Sequence, residues 1–316
     1  MSDFYHKPSA IEQNDSNGYS PAVQEFVNFA QENDLDLLYA QLRINNRIKD
    51  NYLTHPLRTR LNVFELSEGV VGIAAGIAIE EKLISLNDRV VDYFSEYVTD
   101  DMDVRMGKVT LYHLLTMTTG MSGEIFICDD PARYDEKDWL AAFFRGEFSD
   151  EPGERFSHCC LNTYVVSRMI EKKAGLNLLE YLRDRMFEPI GIGNPDWLPC
   201  PKGHIMGFNG LYLTDQEIGN LGALILSKGS LNYHNVVSEE YVNMMCSPIT
   251  DAGNGLKYGM HMWIIPDLND TLLLKGRFGQ GVVIAKDKGA VLSFQALEGY
   301  KYDALWRKAA EVLRMI

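Results

Sequence analysis

The sequence predicts an α+β protein in which both ends of the chain build one antiparallel sheet around a mostly helical insert. Strand-like segments occur near the N-terminus and again after Tyr258, whereas helical periodicity dominates the residues between them. The 316 residues suffice for two such units. We therefore expect a flexible lead of residues 1–20, a sheet domain of residues 21–86 and 255–316, an inserted domain of residues 87–254, and an active-site cleft between the two domains.

Each element of the first part follows from a local pattern. Residues 21–33 place apolar side chains at helical spacing, and residues 36–42 and 46–53 are typical of two strands joined by a tight turn. Residues 64–82 predict a helix whose small and apolar residues cover most of its circumference, so this helix should be buried. Gly72 and Gly76 lower its intrinsic helix propensity but permit close packing.

The remaining elements divide into two groups. Helices are predicted in the insert, the last of them capped by Asn177, and short strands after it are separated by Pro, Asn, Asp and Gly. The predicted helices are residues 139–144, 161–173 and 178–187, the predicted strands are residues 258–265, 271–275, 281–286 and 290–295, and a final helix spans residues 302–315.

Composition narrows the classes of partner. The net charge of −14 makes nucleic acid and anionic membranes unsuitable partners, because such binding needs clustered cations. No apolar run is long enough to cross a bilayer, and the N-terminus shows no signal peptide, so the sequence predicts a cytoplasmic protein. Free thiols are then expected at Cys128, Cys159, Cys160, Cys200 and Cys246. No dinucleotide fingerprint or phosphate-binding loop occurs, so no cofactor is expected.

An ordered set of short phrases adds a resemblance. Residues 76–94 (GIAIEEKLISLNDRVVDYF) resemble the "GiAieeGlLsLdDpVvdyf" stretch of serine β-lactamase and penicillin-binding-protein relatives, and residues 108–121 (KVTLYHLLTMTTGM) resemble their "vTvrhLLtMtSGl". Similar matches follow in family order at residues 151–156, 182–192, 208–215, 237–241 and 276–280. The set resembles the class C β-lactamase-related family of esterases, amide hydrolases and D-peptidases, and implies the transpeptidase-like fold of that family.

The resemblance also implies a mechanism. Family members use a serine nucleophile in Ser-x-x-Lys at the start of the buried helix, with the lysine and a tyrosine handling the proton. A Lys/His-x-Gly strand flanks the oxyanion. Counting back from Gly76 places the serine position on Glu65 and the lysine position on Glu68, and taking Ser67 instead would put the lysine on Val70.

The other two motifs are altered as well. The tyrosine position holds His158 and the third position of that motif holds Cys160, while the strand motif survives as Arg277-Phe278-Gly279 with Lys275 before it. One turn of helix separates Glu65 from Glu68, so both carboxylates should lie on one pocket wall with His158 opposite. Crowding of two acids should raise the pKa of at least one carboxyl, and His158 and Arg277 are the expected compensating partners.

These departures leave several interpretations open. The positions have drifted after loss of activity, or they were selected as an acidic site for ligand binding or chemistry. A His158–Cys160 thiol pair, acid–base chemistry by the carboxylates, and a metal site from Glu65, Glu68, His158 and Cys160 are alternatives, although no metal-binding motif supports the last and no metal is expected. A further alternative is an ordinary hydrolase of this family whose catalytic serine lies at a position other than the one assigned above.

The preferred hypothesis is a non-catalytic ligand-binding or regulatory pseudoenzyme. Its pocket should have a net negative lining and take a small molecule, preferably cationic or amine-bearing. The rival is a repurposed enzyme that uses Glu65, Glu68, His158 and Cys160 in the same cleft. The predicted ligand-binding residues are Glu65, Ser67, Glu68, His158, Cys160, Arg277, Phe278 and Gly279.

Overall fold

The computed structural model describes residues 18–55, 59–122, 131–297 and 302–316. The predicted flexible lead therefore lies almost wholly outside the described residues, as does Cys128. Within the described residues, an eight-stranded sheet is covered by helices on both faces.

The strands that form the sheet come from both ends of the chain, as predicted. Their order across the sheet is β2-β1-β13-β12-β11-β10-β9-β8, and every neighbouring pair runs antiparallel. In the pairing of the first strand with the last one, Leu42 lies opposite Leu292. The sheet strands are β1 (Leu37–Ile44), β2 (Arg47–Leu53), β8 (Thr250–Gly253), β9 (Leu256–Tyr258), β10 (Trp263–Ile265), β11 (Thr271–Gly276), β12 (Gln280–Ala285) and β13 (Ala290–Ala296).

Five further short strands lie outside the eight-stranded sheet. They form a three-stranded group in the order β3-β5-β4 and a two-stranded hairpin, β6-β7. Their bounds are β3 (Leu61–Asn62), β4 (Asp196–Trp197), β5 (Leu211–Leu213), β6 (Ser230–Leu231) and β7 (His234–Asn235).

Helices cover both faces of the sheet, and most of them come from the part of the chain between β2 and β8. Their bounds are α1 (Pro21–Glu32), α2 (Ser67–Glu80), α3 (Val90–Tyr93), α4 (Leu111–Leu115), α5 (Trp139–Phe144), α6 (Cys160–Ala174), α7 (Leu178–Leu182), α8 (Asp215–Leu226), α9 (Glu239–Met245) and α10 (Tyr302–Leu313). A 3₁₀ turn, Phe64–Leu66, leads directly into α2, and a π-helical turn, Arg183–Phe187, continues α7.

The two faces of the sheet bury separate hydrophobic cores. Helices α1 and α10 pack on one face, where the rings of Phe26 and Phe294 lie 5.1 Å apart. Helix α8 packs on the other face, and its Gly222 lies directly against Val282 and Val291. Because both faces are covered, every residue of β12 and β13 is buried.

Two differences from the sequence prediction concern the strands of the main sheet. The single predicted strand 258–265 is two strands, β9 and β10, joined by a turn in which Gly259 donates to Met262. The eighth strand begins at Thr250, within the segment assigned to the helical insert. The division of the chain into residues 21–86 with 255–316 and residues 87–254 otherwise stays a prediction.

Helix α2 is buried as its composition predicted. Every residue from Ser67 to Ala78 is buried, and its glycines lie where other elements approach closely. A Cβ on Gly76 would lie 2.3 Å from the ring of Tyr241 on α9. Near the start of α2, a Cβ on Gly69 would lie 2.4 Å from the side chain of Leu274 on β11, so this end of the helix packs closely against the strand that borders the site described next.

Candidate functional site

A pocket lies where the start of α2 meets the end of β11. Its described lining consists of Glu65, His158, Trp263, Lys275, Gly276 and Arg277, around a volume of about 180 Å³. Glu65 comes from the 3₁₀ turn before α2, and His158 comes from the segment before α6. Two neighbouring strands, β10 and β11, supply Trp263, Lys275 and Gly276, and Arg277 follows directly.

The carboxylate of Glu65 turns toward the chain that leaves β11. Its Oε2 accepts the backbone N–H of Arg277 at 2.9 Å, and its Oε1 lies 3.4 Å from Nε of the same arginine. Burial raises the pKa of the Glu65 carboxyl, whereas the backbone N–H groups of Arg277 and Glu65 and the Arg277 charge oppose that rise. The predicted rise is therefore confirmed in direction, but its main cause is burial rather than repulsion by Glu68.

The turn that carries Glu65 is strained and held from several sides. Phe64 has a φ of +50°, which is rare for a bulky residue. Its N–H donates to Oδ1 of Asn62 at 3.0 Å, and its ring packs against Phe278 with centroids 4.7 Å apart. Such strain persists only where the surroundings hold it in place. The position of Glu65 beside Arg277 is thus fixed by its neighbours on both sides.

Glu68 occupies a different environment one turn later. It is 3% exposed, and its Oε2 lies 3.1 Å from Nε2 of His158, whose ring stacks on Trp263. The hydroxyl of Thr163 donates to its other oxygen at 3.3 Å. Glu68 therefore sits behind His158 and does not line the pocket, so the prediction of two carboxylates on one wall opposite His158 is wrong. His158 and Arg277 nevertheless each contact one of the two acids.

Four other predicted ligand-binding residues lie outside the pocket lining. The Ser67 hydroxyl is fully buried, 2.8 Å from the carbonyl oxygens of Phe64 and Gly207. Phe278 and Gly279 lie beyond β11, where Phe278 donates its N–H to Gln280. Among the predicted site residues, the pocket thus takes only Glu65, His158 and Arg277.

Cys160 is the fourth of these residues, and it is disulfide-bonded. The other described cysteines, Cys159, Cys200 and Cys246, form no disulfide and are buried. The prediction of a free thiol is therefore wrong for Cys160. A disulfide sulfur is no thiolate, so the Cys160 nucleophile of the rival hypothesis loses its basis.

The charges of the pocket also differ from those predicted. Among its described residues, one carboxylate, Glu65, faces the two cations Lys275 and Arg277. The prediction of a net negative lining is therefore wrong for this part of the pocket. A net negative lining was the electrostatic reason for preferring a cationic or amine-bearing ligand, and the described part of the pocket does not supply it.

Lys275 and Trp263 belong to the site although the sequence did not single them out as binding residues. Nζ of Lys275 lies 4.4 Å from the centre of the Trp263 ring and 3.7 Å from Oδ1 of Asp303. Burial lowers the pKa of the Lys275 amine, and the charges of Asp303 and Glu65 oppose that change. The only sequence signal was position, because residues on β10 and β11 beside the matched Arg277 must border the same pocket.

A second histidine lies close to Glu68. His261, in the turn between β9 and β10, is 1% exposed, and neither of its ring nitrogens has a hydrogen-bond partner. Burial lowers the pKa of this imidazole to about 4; the Glu68 carboxylate opposes that shift and His158 adds to it. No sequence motif surrounds His261, which is why it was missed.

The described residues do not form a metal site. Nowhere in that part of the chain do three or more His, Cys, Asp or Glu side chains come together in a way that could hold a metal ion. The four-residue metal site weighed from the sequence is not assembled there. Nor does any helix among the described residues have the length and apolar character needed to cross a membrane.

Comparison with known proteins agrees with this architecture. Residues 50–206 match the family model described as Beta-lactamase. A Bacillus anthracis protein provisionally described as a 6-aminohexanoate-dimer hydrolase aligns with a TM-score of 0.78 at 16% identity, over 98% of this chain and 86% of its own. No curated protein matches the sequence.

Two further solved structures are similar at the level of the fold. The octameric penicillin-binding protein homologue from Pyrococcus abyssi aligns with a TM-score of 0.71 at 15% identity, over 93% of this chain and 76% of its own. A family VIII carboxylesterase gives a TM-score of 0.75 at 16% identity, over 94% and 98% of the two chains.

The fold and the matched segment define a class of proteins with an antiparallel sheet, flanking helices and a pocket at the start of a buried helix. The chain belongs to the β-lactamase-related family, which includes penicillin-binding-protein-like and esterase members. The predicted family and fold class are confirmed.

Proposed function

We propose that this protein is a non-catalytic, ligand-binding member of the β-lactamase-related family. The observation that carries the proposal is the environment of Ser67. This serine lies two positions after Glu65, the residue at the family's nucleophile position, and its Oγ is fully buried against the carbonyls of Phe64 and Gly207. A hydroxyl held in that way cannot reach a substrate in the pocket.

The residues at the motif positions support the same conclusion. Glu65 and Glu68 stand where the family resemblance places the serine and the lysine, and neither carboxylate can form the serine ester of that mechanism. Within the described lining of the pocket there is no hydroxyl or thiol side chain. What remains is a small cleft with one aromatic wall, two cations and a carboxylate, which suits binding of a small polar molecule through Trp263 and Arg277.

Acylation tests the proposal directly. We expect neither a fluorophosphonate nor a labelled penicillin to form a covalent adduct with the protein, under conditions in which a serine β-lactamase is labelled completely. Intact-mass measurement followed by peptide mapping reports the adduct. A stoichiometric adduct on any serine, Ser67 included, would overturn the proposal.

One observation favours a second candidate, which is hydrolysis by an activated water. His158 lines the pocket and is held by the buried Glu68 at 3.1 Å, an arrangement in which a carboxylate orients an imidazole for acid–base work. This candidate predicts turnover of p-nitrophenyl esters without a covalent intermediate. That turnover should be lost in His158→Gln and in Glu68→Gln, and retained in His234→Gln, which alters an exposed histidine of the β6–β7 hairpin.

The compartment is a separate question. The sequence predicted a cytoplasmic protein, and that localisation stays a prediction.

A further inference from the structure

We propose that Lys275 is a reversible covalent binding site, at which the side-chain amine forms an imine with a small uncharged aldehyde in the pocket. The inference deepens the proposed function, on which it rests, by naming the chemical class of the ligand. Among the pocket residues that the structure describes, Lys275 carries the one primary amine. Proteins form imines with carbonyl compounds through lysines in such sheltered surroundings.

The amine lies beside two indole rings at the end of β11. Its Nζ is 4.4 Å from the centre of the Trp263 ring on β10 and 5.8 Å from the centre of the Trp306 ring on α10. The Lys275 side chain is 19% exposed, and it borders the pocket. An aldehyde that enters the pocket therefore meets an amine whose immediate neighbours are largely aromatic.

The charged groups around Lys275 act in both directions. Its Nζ lies 3.7 Å from Oδ1 of Asp303, an exposed carboxylate that already accepts the indole N–H of Trp306 at 2.6 Å. The charges of Asp303 and Glu65 favour the ammonium form, whereas burial and the charge of Arg307 favour the neutral amine. Burial is the largest of these effects and lowers the pKa of the amine, so more of it is neutral near pH 7 than in an exposed lysine.

The rest of the described lining favours an uncharged ligand. Glu65 accepts the backbone N–H of Arg277 at 2.9 Å, and its other oxygen lies 3.4 Å from Nε of the same arginine. Once the Lys275 amine is neutral, the carboxylate and the guanidinium of the described lining offset each other. The volume of about 180 Å³ and the aromatic wall of Trp263 suit a chain of a few carbon atoms. A small aliphatic aldehyde such as propanal has this size and charge.

The chemistry needs only the amine and the aldehyde. The lone pair of Nζ adds to the carbonyl carbon, and a proton passes from nitrogen to oxygen to give a carbinolamine. Loss of one water then forms the C=N bond of the imine, with no change of oxidation state. Addition of water reverses both steps, so the adduct is a form of ligand binding and leaves the protein unchanged.

Lys308 on α10 provides a matched comparison. Its side chain is 17% exposed, and its Nζ lies 5.4 Å from the centre of the Phe29 ring, so it resembles Lys275 in burial and in having an aromatic neighbour. Its Nζ donates a hydrogen bond to Glu25 at 2.6 Å, however, and it does not belong to the described pocket lining. Lys228, an exposed lysine, represents the surface amines.

Reductive alkylation tests the proposal on the unmodified protein. Sodium cyanoborohydride at pH 7 converts each imine formed with propanal into a stable propyl-lysine, which peptide mapping by mass spectrometry locates. We expect half-maximal modification of Lys275 at a propanal concentration at least roughly fivefold lower than that for Lys228, with Lys308 the least reactive of the three. Modification of Lys275 that needs as much propanal as Lys228 or Lys308 would overturn the proposal.

The size of the aldehyde shows whether the pocket takes part. The preference for Lys275 over Lys228 should disappear with pyrenecarbaldehyde, because that fused ring system is too large for a volume of about 180 Å³. The same preference with both aldehydes would also overturn the proposal, since the reaction would then not occur in this pocket.

The two proposals fail in distinguishable ways. An unreactive Lys275 would leave the absence of a serine adduct, and with it the proposed function, unchanged. A stoichiometric serine adduct in the acylation test would refute the proposed function without affecting the alkylation of Lys275.

Discussion

Glu65 and Glu68 show how strongly the surroundings decide what an acidic residue does. They are one turn apart and both are nearly inaccessible, yet one is held by Arg277 and the other by His158. Only Glu65 borders the pocket. Their shared spacing predicted two carboxylates on one pocket wall, whereas the direction of each side chain depended on contacts made 212 and 90 positions away.

His261 supplies a prediction about pH. Burial lowers the pKa of its imidazole to about 4 from 6.5, with Glu68 opposing the shift and His158 adding to it. Between these values the unfolded chain binds more protons, so stability from this group is complete above pH 6.5 and is lost as the pH falls toward 4. We expect the loss to approach about 1.4 kcal/mol per pH unit in that window.

The comparison uses His261→Asn, because asparagine tolerates the φ of +54° at this position. Its free energy of unfolding, measured with urea from pH 4 to 7, should depend on pH less steeply than that of the unmodified protein. His234→Asn, an exposed replacement, should keep the original slope. If all three proteins show one slope, His261 does not cause the acid sensitivity.

At the scale of elements, α2 is the component on which the pocket depends. It is buried from Ser67 to Ala78, and it places the Glu65 turn against β11. Its composition predicted the burial, because no face is polar enough for solvent. The 3₁₀ start was not predicted, since it depends on the strained Phe64 and on the Asn62 side chain.

Gly76 gives a prediction for this helix. Replacing glycine by alanine inside a helix ordinarily stabilises it by up to about 1 kcal/mol. In Gly76→Ala the new methyl group would lie 2.3 Å from the Tyr241 ring, and that ring cannot move freely because its hydroxyl donates to the Gly72 carbonyl. We therefore expect the steric clash with Tyr241 to outweigh the gain in helix propensity, and the free energy of unfolding to fall by about 1–3 kcal/mol.

The control for that measurement is Gly107→Ala. A Cβ at Gly107 meets no atom within 4 Å, so its free energy of unfolding should stay within about 0.5 kcal/mol of the unmodified protein. Denaturation in urea compares the two variants. A Gly76→Ala protein as stable as Gly107→Ala would show that α9 shifts away at little cost.

The turn between β9 and β10 shows where strand prediction fails. Residues 258–265 are apolar enough for one strand, but the chain reverses at residues 259–262. His261 takes a left-handed φ there and donates its N–H to the carbonyl of Leu115. A turn held by a distant carbonyl leaves no Asn-Gly or Asp-Gly signal in the local sequence.

At the scale of the whole molecule, the structure and the sequence prediction differ in the redox state of Cys160. The sequence predicted a free thiol, whereas the structure has a disulfide at this residue. Under denaturing and non-reducing conditions, we expect iodoacetamide to modify Cys159, Cys200 and Cys246 and to leave Cys160 unmodified. After reduction, Cys160 should be modified too. Peptide mapping distinguishes the sites, and modification of Cys160 without reductant would contradict the disulfide.

The same reagent on the native protein serves as an internal control. The free thiols are buried, and burial raises the pKa of Cys246 to about 12, so they should react slowly before denaturation. Rapid modification of Cys246 in the native state would show that its region opens more easily than its burial suggests.

The sequence by itself determined the family, the antiparallel sheet from both chain ends, the buried helix and the approximate bounds of most elements that were predicted. These depend on periodicity, turn residues and ordered motifs, which are properties of neighbouring positions. It also identified Glu65, Glu68, His158 and Arg277. Only the tertiary structure decided that Glu68 turns inward, that Lys275 and Trp263 join the pocket, and that the described lining carries more positive than negative charge. The physical reason is that burial and charge pairing at this site come from contacts between segments far apart in the chain, which no local pattern encodes.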